Sequence, residues 1–157
     1  MKQDHVIIYA DGGCSPNPGP GGWAAILISP LHKNRAKEIS GAEAHSTNNR
    51  MELTAAIMAL RQLKRRCKVV FRTDSQYLQR AFNDGWLSKW ISNRWKTSGK
   101  KPVKNVDLWQ ELIALSAKHD MKWEWIKGHA GDPHNERCDF LVGQARKNSA
   151  MSSGMDS

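Results

Sequence analysis

Residues 6–29, VIIYADGGCSPNPGPGGWAAILIS, decide what kind of fold this chain adopts. A short apolar run ends at Asp11, and a Gly/Pro/Asn cluster comes at once after it. Strand-then-glycine is the pattern of a phosphate cradle, but a Walker loop requires Gly-Lys-Ser/Thr after its glycines, and no lysine stands there. A dinucleotide fingerprint would open a helix. Gly22 leads instead into WAAILIS, apolar and partly β-branched, which reads as a second strand. The cluster is therefore a hairpin turn, its backbone angles supplied by Gly and Pro. Asp11 is left at the end of the first strand, held rigidly at the edge of a sheet.

Working outward, strands are expected near 5–11, 22–29 and 36–44, joined by short turns and hence antiparallel. A helix is expected from 49 to 63, opened by HSTNN, in which Asn49 and Glu52 have the spacing of a capping box. KVVFRTD (68–74) is a fourth strand, and the helix before it implies a crossover to a parallel partner. Next come a short helix (75–82), a Trp-rich helix (86–93), the basic loop 94–105, a helix (106–119) and the strand KWEWIK (122–127). In the final helix Asp132 caps and Pro133 takes the first turn. The class is α/β with a mixed sheet. Residues 1–147 are expected to form one domain, and the Gly/Ser-rich segment 148–157 a frayed tail.

Composition narrows the possibilities. The chain has 157 residues, 39% hydrophobic and 25% charged, which suits one soluble globular domain. Its three cysteines form no Cys-x-x-Cys pair, which fits free thiols in a reducing compartment better than zinc ligation. There is no apolar run long enough to span a membrane and no signal-peptide pattern, so a cytoplasmic location is expected. The formal charge of +9 is concentrated: residues 61–104 hold thirteen Lys/Arg against two acids, whereas the remainder is slightly acidic. Such focusing fits a polyanion partner, and fits a solubilising face equally well.

Carboxylates stand where the local pattern does not want them. On a helical wheel Glu52 falls within the arc of Leu53, Ala56, Ile57, Ala59 and Leu60, facing the sheet, where an unpaired carboxylate is costly. A place in the first helical turn also favours an acid. Asp74 ends an apolar strand as Asp11 does, although either could be an N-cap. If strands one and four are parallel neighbours, the two aspartates lie side by side at the carboxyl edge, where α/β sheets gather their sites. Asp139, on the last helix, is compatible with facing inward or outward. Converging acids must take up protons or bind cations. All-oxygen ligands favour Mg²⁺ or Mn²⁺, and a hard-metal site beside a basic flank fits phosphodiester chemistry with two ions.

DGGCSPNPGPGGW, STNNRMEL, TDSQY, KPVKNVDLW, KWEWIKGHAG and NERCD, in this order, resemble ribonuclease H of the bacterial type 1 form over residues 6–147. The resemblance implies a five-stranded mixed sheet and an endonuclease that cuts the RNA strand of RNA–DNA hybrids, leaving 5′-phosphate and 3′-hydroxyl ends. It implies Mg²⁺, with Mn²⁺ as a substitute, as two ions held by Asp11, Glu52, Asp74 and Asp139. His129 matches the family histidine of proton transfer or product release. Asn17, Asn48, Asn49 and Gln76 match minor-groove contacts, and Gly12, Gly13 and Cys14 match backbone that senses the 2′-hydroxyl. Thr47 and Asn105 match a DNA-phosphate pocket, and Trp86 and Trp90 match aromatics that pack on DNA sugars. Arg94, Lys96, Lys100, Lys101 and Lys104 fit a handle for the hybrid's phosphates. WISNRWK (90–96) is less basic than the usual bacterial pattern, a departure that bears on affinity rather than chemistry. The partner implied is the hybrid, with no membrane, and the chain is expected to be a monomer. A non-catalytic hybrid-binding module and a relative that cuts or joins DNA strands are the competing readings. The presence of all four acids argues against the first, and STNNRMEL and TDSQY argue against the second.

Overall fold

A computed structural model describes residues 4–30, 33, 35–97, 99–127 and 131–155. Strands β1 (Asp4–Cys14), β2 (Gly19–Ser29) and β3 (Arg35–Ser46) precede α1 (Asn48–Arg61) and β4 (Cys67–Thr73). Helices α2 (Gln76–Asn83), α3 (Trp86–Ser92) and α4 (Val106–Ser116) lead to β5 (Asp120–Trp125) and α5 (Pro133–Met155). The five strands form one sheet in the order β3-β2-β1-β4-β5. β2 is antiparallel to β1 and β3, whereas β4 is parallel to β1 and β5. The mixed α/β sheet expected from the pattern is therefore the one observed.

One face carries the main core. Val6, Ile8 and Ala10 of β1 and Val69 and Phe71 of β4 pack with Leu53, Ala56, Ile57 and Leu60 of α1 and with Trp109 and Leu112 of α4. The period-2 alternation of the strands meets the 3.6-residue stripe of the helices. On the other face Tyr9, Ile26 and Ile28 meet Cys138 of α5, and Ala24 meets Leu141 and Val142. Gly22 lets α5 approach β2 closely, since a Cβ there would lie 2.5 Å from the Val142 carbonyl oxygen.

Local expectations are revised at the ends of several elements. β1 does not stop at Asp11: Gly12, Gly13 and Cys14 go on pairing with Trp23, Gly22 and Gly21, so glycine extends the strand instead of ending it. Helix α1 is capped not by Asn49 but by Thr47, whose side chain accepts from the Arg50 N–H. Helix α2 is capped by Ser75, whose Oγ accepts from the Leu78 N–H, which leaves the Asp74 carboxylate uncommitted to that helix end. The backbone of α5 stays helical to Met155, through most of the segment whose composition suggests fraying; no proline after Pro133 interrupts its ladder.

Candidate active site

Strand register builds the centre of the site. Tyr9 pairs with Arg72 across β1 and β4, so Asp11 and Asp74, each two residues further on, emerge together at the carboxyl edge. Helix α1 brings Glu52 from its first turn. One carboxylate oxygen from each of Asp11, Glu52 and Asp74 lies within 4.8 Å of the other two. Gly12 permits this approach: a Cβ on it would meet the Met51 carbonyl carbon at 2.4 Å and the Glu52 nitrogen at 2.7 Å. Its backbone also hydrogen-bonds the carboxyl groups of Asp11 and Glu52.

Burial and mutual repulsion of the acids set the electrostatics of the site. Burial, then the neighbouring Asp74 charge, pushes the Asp11 carboxyl up to about 7. Burial, then Asp11 and Asp74, raises Glu52 well above the ordinary carboxylate range, and Asp11 and Glu52 hydrogen-bond each other. Glu52 Oε2 is enclosed with no hydrogen-bond partner among the described residues. An orphaned carboxylate oxygen facing two more carboxylates is a donor set for a hard divalent cation, and these residues fit one. Asp139 is exposed and stands outside the close trio, though its charge adds to the upward push on Asp11. His129 lies outside the described residues.

Around the trio, the β1–β2 turn is tied to the start of α1. Asn48 Oδ1 accepts from the Cys14 N–H at 2.7 Å, and the Asn48 N–H donates to Asn17 Oδ1 at 3.1 Å. Asn17, Pro18, Thr47, Asn49, Lys104 and Asn105 line a cavity of about 440 Å³. Asn105 adopts a left-handed backbone conformation at φ 64° and is fixed from both sides. Its Oδ1 accepts from Arg50 Nη1 and its Nδ2 donates to the Tyr77 hydroxyl. Arg50 also grips Asp107 through two hydrogen bonds of 3.1 and 2.9 Å. Gln76 is exposed at the start of α2, two residues after Asp74. Trp86 and Trp90 are half-buried with ring centroids 5.9 Å apart, and Trp90 rests on the fully buried Trp109. Arg94, Lys96, Lys100, Lys101 and Lys104 are all exposed on the loop beyond α3.

Sequence reasoning does not single out Arg50 and Asn135. Asn135 is buried, 5% exposed, and its Nδ2 donates to Asp74 Oδ2 over a long 3.5 Å. Arg50 lies inside STNNRMEL and Asn135 inside NERCD, where a polar residue close to a suspected ligand is the available signal.

Gly12→Ala is expected to destabilise the protein by about 1–3 kcal/mol, because the new methyl must displace helix backbone rather than a flexible side chain. Thermal denaturation measures this; an unchanged midpoint would show that α1 can move away without cost.

Comparison with known proteins agrees with this geometry. The family model described as RNase H matches residues 3–147. A protein of Francisella philomiragia named Ribonuclease H is 54% identical over 144 residues, 92% of each chain. One of Pelobacter propionicus with the same name is 56% identical over 140 residues, 89% of this chain and 83% of that one. Among solved structures, LC9-RNase H1, described as a type 1 RNase H with the type 2 active-site motif, superposes with a TM-score of 0.82. It is 30% identical, and the match covers 95% of this chain and 75% of that one.

Proposed function

This chain belongs to the ribonuclease H family and cleaves the RNA strand of RNA–DNA hybrids; we propose that it does so with Mg²⁺ held by Asp11, Glu52, Asp74 and Asp139. The observation that carries the reading is the convergence of three carboxylates, one oxygen of which is buried without a partner among the described residues. Two ions with substrate bound, Mn²⁺ as a substitute, and 5′-phosphate and 3′-hydroxyl product ends belong to the same proposal. So do a single catalytic domain over 1–147, a monomeric state and a cytoplasmic location. Such ions, when bound, activate water and neutralise charge developing on the scissile phosphate.

The chain's own residues do the rest. Asp11 and Glu52 must release the protons that burial and repulsion make them keep, so binding a cation is coupled to proton release. Gly12, Gly13 and Cys14 present backbone on a strand edge, close enough to the cluster to read a 2′-hydroxyl. Asn17, Asn48, Asn49 and Gln76 supply amide donors and acceptors for the minor groove. Thr47 and Asn105, the latter held by Arg50, bind a DNA-strand phosphate in the cavity they line. Trp86 and Trp90 offer apolar surface to the DNA sugars. His129 is assigned to proton transfer or product release by its place in the family motif.

Arg94, Lys96, Lys100, Lys101 and Lys104 bind phosphates without reading sequence. Replacing Lys100 and Lys101 by Ala is expected to reduce the slope of log affinity against log salt by about 1 per lysine and to weaken all hybrids alike. Fluorescence titration at several salt concentrations checks this; an unchanged slope removes those lysines from the interface.

The test of the function uses end-labelled RNA–DNA hybrid, single-stranded RNA, duplex RNA and duplex DNA, each with Mg²⁺, Mn²⁺ or chelator. Metal-dependent cutting confined to the RNA of the hybrid supports the proposal. Cutting of duplex DNA, or binding to the hybrid without cutting, overturns it.

A further inference from the structure

A polar row runs along the sheet one step behind the catalytic edge. Tyr9 of β1, Arg72 of β4 and Glu124 of β5 are consecutive partners across the strands. Arg72 Nε donates to Glu124 Oε2 at 2.9 Å, and Arg72 Nη1 donates to the Tyr9 hydroxyl at 2.7 Å. The guanidinium also lies over the Tyr9 ring, 5.5 Å from its centroid. Tyr9 is 3% exposed, and its hydroxyl donates to Asp132 Oδ2 at 3.2 Å. Asp132 does two things at once, because its Oδ1 caps α5 by accepting from the N–H groups of His134 and Asn135.

The geometry points to Tyr9, braced by Arg72 and Glu124, as a positioning residue for catalysis: its hydroxyl locks the first turn of α5 to the strands that carry Asp11 and Asp74. Three connections support this. Asp11, within β1, and Asp74, just past the end of β4, come two residues after Tyr9 and Arg72, so the row and the carboxylates share one rigid frame. The turn that Asp132 caps contains Asn135, which reaches Asp74 Oδ2. Asp139 stands four residues beyond Asn135, on the same side of the helix. The Tyr9 ring also packs on His134 in that turn, with centroids 5.0 Å apart. A helix end held only by apolar packing can slide by fractions of an ångström. Held by a charge-assisted bond to a residue bonded in turn to an arginine, it has one position.

This inference rests on the metal-cluster reading of the site. Its test is Tyr9→Phe, which keeps the ring and removes the hydroxyl. Hybrid-cleavage kcat should fall about tenfold with KM nearly unchanged, and the Mn²⁺ concentration for half-maximal activity should rise, as when an outer partner of a metal ligand is lost. Combined with Asn135→Ala, the loss should be smaller than the product of the two single losses, because both act through the same turn. A lower melting midpoint with kcat and metal requirement unchanged, or losses that simply multiply, overturns the inference. If Tyr9→Phe does not fold, Arg72→Met removes the brace while sparing the hydroxyl and goes through the same cycle. If the wild-type chain cuts no hybrid, the functional reading fails separately. Calorimetric Mn²⁺ titration of wild type and Tyr9→Phe then decides the positioning role, equal affinities refuting it.

Discussion

Asp11→Asn should lower the rate of hybrid cleavage by about a thousandfold or more, the order expected when ~4 kcal/mol of metal-supplied stabilisation is lost. In the same protein, freed of divalent ions at pH 8, the melting midpoint should rise. The two effects have opposite signs for one reason. Asp11 is buried and faces the charge of Asp74, with Asp139 adding to the repulsion, so its ionised form is unfavourable in the fold by itself. An uncharged amide of the same shape relieves that repulsion and can still hydrogen-bond Glu52. It is also a poor ligand for a hard cation, so what the fold gains the chemistry loses. Calorimetry in chelator and single-turnover cleavage of labelled hybrid measure the two halves. If Asp11→Asn retains activity, or melts well below wild type, Asp11 is not the central ligand.

The second large effect is a pH dependence that runs against the usual direction for carboxylates. Folded Asp11 keeps its proton up to about pH 7, whereas an aspartate at its ordinary value of 3.8 has released it. Between those values the native state binds more protons than the unfolded chain, so stability falls as pH rises. The contribution is fully present below the unfolded value and gone above the folded one. Each pH unit is worth about 1.36 kcal/mol, so Asp11 alone accounts for roughly 3–4 kcal/mol between about pH 4 and 7. Glu52 shifts in the same direction for the same causes and adds to it. Divalent cation reverses the loss: an ion that binds only the native state stabilises it, and does so more strongly as the protons leave. Denaturant titrations at pH 5 and 8, with Mg²⁺ and with chelator, test this. A metal-free protein equally stable at both pH values would show that the carboxylates are not buried together.

The sequence held much of this in local form. The turn after Asp11 declares itself through Gly and Pro, and β2 declares itself through WAAILIS. Glu52 is conspicuous because a carboxylate in an apolar helical stripe conflicts with burial, and the helix does bury that edge against the sheet. The six motifs identify the family, which the relatives at more than half identity bear out. Local signals err where two residues compete for one backbone role. Thr47 rather than Asn49 caps α1, and the glycines after Asp11 extend β1 instead of ending it, because β2 continues opposite them and supplies backbone partners from Trp23 to Gly21.

Chain order by itself determined the inventory: strands of period 2, helices of period 3.6, and acids placed where they cost energy. These are short-range properties, written within a few residues of each other. Tertiary structure alone decided which acids meet. The parallel register of β1 and β4 sets Asp11 beside Asp74, and the close approach allowed by Gly12 adds Glu52. It also decided that Asp139 stays exposed at the margin, and that Tyr9, Arg72, Glu124 and Asp132 form one connected row. Tyr9 and Asp132 are 123 positions apart in sequence. A contact of that range depends on strand order and helix docking, which result from burying both faces of the sheet at once, and no local pattern encodes it.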